Sequence, residues 1–102
     1  MSRITVQPIR IATASEDETG LLVLIDRRLA AVLTRLDAAC HGEARGRWFV
    51  ETGFGPCAAP PPEPHHRLSE ALRWIADRMG EAASLAEAEL HQIERRFGVL
   101  PD

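Results

Sequence analysis

The sequence has no lysine, no tyrosine and only two cysteines, and its apolar runs reach no further than the five residues Leu21-Leu22-Val23-Leu24-Ile25. Each shortage excludes something. A bilayer-crossing helix needs ~20 consecutive apolar residues, so no membrane span is expected. The N-terminus enters strand-like alternation at Ile4 and Val6 without an apolar leader core, which makes a cytoplasmic location the default expectation. Two thiols, Cys40 and Cys57, do not form the cysteine framework of a small disulfide scaffold, and both are expected to be reduced. The twelve cations are all arginine, stand against 15 acidic residues, and never gather into a stripe free of carboxylates, for a net charge of −3. A nucleic-acid partner is therefore not expected.

What is present describes an ordinary globular chain. Its 102 residues are 45% apolar and 26% charged, enough apolar surface for one core to offset the entropy of ordering one domain. Residues 3–55 read as a strand half, 56–66 as a connector and 67–98 as a helical half. The predicted fold is α+β, a small antiparallel sheet of about four strands followed by two amphipathic helices packed on one face.

In the first strand the apolar positions shift parity from Ile4 and Val6 to Ile9 and Ile11 across Pro8, which reads as an edge strand with a bulge. The acidic stretch Ala14 to Gly20 is expected to be a solvated loop. Leu21 to Ile25, apolar throughout, has the pattern of a central strand buried on both faces. The segment from Arg28 to Leu36 is ambiguous. Leu29, Leu33, Leu36 and Cys40 follow a helical spacing, yet Asp26-Arg27-Arg28 can turn a hairpin into a second strand, and the hairpin is the preferred reading. A turn from His41 to Gly46 leads to the strand Arg47 to Thr52, in which alternation puts Trp48 and Phe49 on opposite faces, one of them in the core.

Five prolines between Pro56 and Pro64 prohibit a regular ladder and give an extended connector. The first helix carries Leu68, Leu72, Ile75 and Met79 on one face and ends at Gly80. The second begins at a capping-box pattern, Ser84 with Glu87, and carries Ala86, Leu90, Ile93 and Phe97, a narrow stripe that either packs in cis or meets a partner chain.

The stretches Gly20-Leu21-Leu22-Val23, Arg28 to Leu33, Gly46 to Pro56 and Ser69 to Ile75 together resemble a group of short conserved bacterial proteins with no assigned activity, over roughly residues 9–79. That resemblance implies the hairpin at Asp26 and carries no catalytic or binding residues. A fainter similarity to HicB-type antitoxin domains lies in the Gly55-Pro56-Cys57 turn ahead of the Ser69-Glu70-Ala71-Leu72 helix start, but strand order and spacing depart from that pattern.

Chemistry-bearing constellations are sparse. Cys40, His41, Cys57, His65 and His66 are zinc-type donors, but adjacent Cys-His and His-His pairs lack the spacing of about two to four residues by which a knuckle wraps an ion. No metal or other cofactor is expected. No Gly-x-Ser-x-Gly element exists, and Gly53-Phe54-Gly55-Pro56 lacks the third glycine and the helix start of a phosphate cradle. Trp74 lies off the apolar stripe of its helix and is a candidate interface anchor, with Leu90, Ile93 and Phe97 of the second helix. The expectation is a non-catalytic module that associates with itself, as a homodimer, or with another protein. A small-molecule or metal sensor built on the Cys/His residues is the alternative.

Overall fold

The computed structural model describes residues 3–12, 17–80 and 87–98. Four strands, β1 (Ile4–Arg10), β2 (Thr19–Ile25), β3 (Arg28–Arg35) and β4 (Trp48–Gly53), pair in the order β1-β2-β3-β4, all antiparallel. Two helices follow, α1 (Leu68–Arg78) and α2 (Glu87–Phe97). Short 3-10 segments occupy Ala39–Ala44 and Gly55–Cys57. The Arg28 to Leu36 ambiguity thus resolves to a strand, and the predicted α+β class holds. The Ser84 cap lies outside the described residues.

A two-residue turn makes the β2–β3 hairpin, with Asp26 and Arg27 both at positive φ (52° and 70°). That geometry matches the right-handed twist of the flanking strands but is uncomfortable for residues bearing a Cβ. Asp26 gains a compensating contact, since its carboxylate accepts the Arg3 N–H at 2.9 Å. Arg27 is exposed, so Arg27→Gly should raise stability by about 0.5–1 kcal/mol, the relief of left-handed strain exceeding the extra freedom glycine gives the unfolded chain. Thermal melts of the two proteins check this.

Two register irregularities bend the sheet, one between Val23 and Leu24 opposite β3 and one between Val32 and Leu33 opposite β4. The predicted bulge at Pro8 does not exist. Pairing runs unbroken from Ile4 with Ile25 to Arg10 with Thr19. Ile9 and Ile11 lie out of phase with Ile4 and Val6 because β1 puts apolar side chains on both faces of the sheet.

One face holds the core. Ile4, Leu21, Val23, Ile25, Ala31, Leu33, Trp48 and Val50 meet Leu68, Ala71, Leu72 and Ile75 of α1 and Leu90 of α2 in one buried cluster, with Val6, Ile93 and Phe97 packed against it. Both helices therefore cover the same side. The connector does more than bridge the two halves. Cys57 is fully buried in that cluster, and His65 pairs with Trp48 through reciprocal backbone hydrogen bonds of 2.7 and 2.8 Å.

Candidate functional site

Strand alternation assigns the residues of the opposite face. Gln7, Leu22, Val32 and Thr52 stand in one row, Ile9, Gly20, Thr34 and Phe49 in the next, and Thr5 with Leu24 in a third. Ile9, Leu22, Leu24, Val32 and Phe49 are each partly exposed, and none belongs to the core cluster or packs against it. Among the described residues no helix lies over this face.

The finding corrects the reading of Leu21 to Ile25 as a strand buried on both sides. Leu21, Val23 and Ile25 are buried, whereas Leu22 and Leu24 remain half-exposed. The face is polar at its margins: Thr34 donates to Glu51 at 3.3 Å, Thr52 is exposed on β4, and Gln7 and Thr5 are exposed at the β1 edge. At the hairpin end the apolar surface continues around the strand tips. There Leu29 (38% exposed) and Phe54 (45%), the large apolar residues most open to solvent among those described, line a cleft with Ile25, Pro56 and Met79.

The residues chosen from sequence as interface candidates lie elsewhere. Leu90 is 2% exposed and spent in the core, and Ile93 and Phe97 pack partly buried against it. Leu90, Ile93 and Phe97 thus pack in cis, while Ala86 lies outside the described residues. Trp74 is half-buried, its ring 6.3 Å from that of His65 and 5.7 Å from the Arg78 guanidinium, so it packs under the connector. The open-face residues are not legible as a site in the sequence, because strand alternation does not say which side of the sheet the helices take. The signal was there in the unbroken Leu21 to Ile25 run and in the out-of-phase Ile9 and Ile11.

The Cys and His residues do not converge. Cys40 is exposed and Cys57 buried, and among the described residues no three His, Cys, Asp or Glu side chains come together as ligands. Burial pushes the Cys57 thiol up, against the opposing charge of Arg78, so its thiolate is disfavoured.

A second polar group escaped the sequence reading. Asp17, expected in a solvated loop, is 7% exposed. Its carboxylate accepts the N–H groups of Asp37 and Ala38 at 2.7 and 2.8 Å and meets the His41 ring. Burial alone would raise its pKa. The Ala38 N–H, the His41 hydrogen bond, the Asp37 N–H and the His41 charge together outweigh that and hold it below the ordinary 3.8. Arg35 binds Asp37 beside it at 2.6 Å, and Arg45 donates to the Asp37 carbonyl at 2.9 Å. The arrangement ties the β1–β2 loop to the 3-10 segment after β3, a structural latch.

His65 is pushed below its ordinary 6.5 by burial, with the Glu70 charge opposing. The unfolded chain therefore binds this proton more readily than the folded one. Stability from the neutral ring is present above 6.5 and is lost as pH falls through the lower folded value. Urea midpoints should fall on acidification from neutral pH into this window, and the fall should be smaller in His65→Gln.

Among the described residues no helix is long and apolar enough to cross a membrane. No family model, curated protein or solved structure matches the chain, so the candidate site is defined by its own geometry: a sheet face with five partly exposed apolar side chains over which, among the described residues, no helix lies.

Proposed function

We propose that this chain is a non-catalytic protein-interaction module, cytoplasmic in location, that works through the open face of its sheet. One observation carries the reading. A strand apolar on both sides belongs between two layers, and among the described residues β2 has a helical layer on one side only, leaving Leu22 and Leu24 beside Ile9, Val32 and Phe49. Apolar patches of this kind on a small domain are characteristic of protein contacts. The chemistry of the face agrees: among the described residues its polar groups are Thr5, Gln7, Thr34, Glu51 and Thr52, with no histidine or cysteine among them.

Site-specific photocrosslinking in the cells that make the protein tests this. A photoreactive residue at Val32 should form a protein adduct, while the same residue at exposed Arg73 on α1 should not. If neither position gives an adduct, or both give the same ones, the reading fails.

A further inference from the structure

The connector between the two halves of the chain is a strap fastened at one point. Pro60, Pro61, Pro62 and Pro64 have no N–H to give, and among the described hydrogen bonds of residues 59–66 only those between His65 and Trp48 reach the sheet. The ends of the strap are seated firmly, Cys57 and Leu68 both being fully buried in the core.

The fastening is built with a weakness. Among the described residues, the buried side-chain polar atoms without a hydrogen-bond partner are Trp48 Nε1 and His65 Nε2, one on each member of this pair. A buried polar group left unpaired weakens the state that buries it. With no acceptor at Nε2, the fastened ring keeps that nitrogen bare and its proton on Nδ1. A second proton would have to go onto Nε2, as a buried N–H with nothing to receive it. We infer that protonation of His65 unfastens the connector from β4, so that the strap opens on acidification while the sheet and helices stay folded.

The surrounding charges do not offset that proton. Glu70 of α1 favours the charged ring, but burial outweighs it and holds the ring below its ordinary 6.5. Arg78 of α1 opposes it, its guanidinium lying 5.7 Å from the centroid of Trp74, whose ring is 6.3 Å from that of His65. Arg47 ahead of Trp48, and Glu63, His66 and Arg67 in the connector, make no hydrogen bond to Nε2. In the open strap the ring meets water and takes the proton at its ordinary value. The fastened form is therefore favoured above 6.5 and loses that advantage as pH falls toward the lower fastened value.

Opening frees the Trp48 N–H and C=O and withdraws the His65 ring from Trp74. Val50 is the next residue of β4 to turn its backbone groups away from β3, so the open form presents a longer unpaired edge, to which another strand can add.

Amide hydrogen exchange followed by NMR on the full chain, expressed as protection factors at each pH, tests the inference. Between about pH 7.5 and about pH 5 the Trp48 and His65 amides should lose protection together, by about fivefold or more, while Leu21 and Leu33 in the central strands keep theirs. The midpoint of the loss should coincide with the titration of the His65 ring, read from its carbon-bound proton shifts, and His65→Gln should abolish the pH dependence at Trp48. Protection at Trp48 that does not change with pH overturns the inference. So does a loss shared equally by Leu21 and Leu33, which is unfolding of the whole chain, or a loss that persists unchanged in His65→Gln. If the variant folds poorly, the wild-type comparison of the four amides with the ring titration decides by itself.

Discussion

Alanine at position 53 will lower the melting temperature by roughly 12–20 °C, the expected result of about 3 kcal/mol of destabilisation in a chain this size. A Cβ on Gly53 would stand 1.8 Å from the Cys57 carbonyl oxygen and 2.6 Å from its carbon. Backbone, unlike the end of a long side chain, cannot swing aside. The Gly55–Cys57 turn would have to lift, and lifting it withdraws the fully buried Cys57 from the core beneath α1. Gly55→Ala is the control. Gly55 has φ of +55° but nothing within 4 Å of a Cβ, so it should lose only the left-handed penalty of about 1–2 kcal/mol. If the two variants melt together, close approach is not what position 53 needs.

The second large effect is at Asp17. Asp17→Ala removes the acceptor for the N–H groups of Asp37 and Ala38 and the partner of His41. A buried donor left unpaired costs about 1–3 kcal/mol, so a loss of about 3–4 kcal/mol is expected. Asp17→Asn keeps an acceptor oxygen and should lose about half as much. The acid limb carries a further signature. With the folded carboxyl held below 3.8, the unfolded chain takes up this proton first, so the stabilisation is present above 3.8 and disappears as pH falls through the folded value. Asp17→Asn should remove that part of the acid dependence. Urea titrations at several pH values below neutrality would show it.

The two positions illustrate different limits on reading the sequence. Gly53 looks like one of two glycines closing a strand, and nothing local distinguishes a glycine required for space from one required for φ. Asp17 looks like one of three consecutive carboxylates repelling one another in solvent. Its role depends on Asp37 and Ala38, about twenty residues away, and only the return of β3 beside β2 brings them near. The small size of Gly53 and the hydrogen-bonding capacity of Asp17 are both visible in the sequence. The partners were not.

The candidate site divides in the same way. Sequence periodicity by itself determined the α+β class, the strands β1, β2 and β4, the α1 stripe and the placement of Trp48 and Phe49 on opposite sides, because a two-residue or 3.6-residue repeat is a property of the chain alone, whereas Arg28 to Leu36 fits both repeats and only the structure makes it a strand. It also contained the excess of apolar residues on β1 and β2, in the unbroken Leu21 to Ile25 run and the out-of-phase Ile9. Tertiary structure alone decided which excess is used. By docking both helices on the Leu21, Val23 and Ile25 side, it buried Leu90 and left Leu22, Leu24 and Val32 outside. The reason is physical: an amphipathic strand or helix specifies that a face must be covered, but what covers it depends on long-range packing, which no local pattern records.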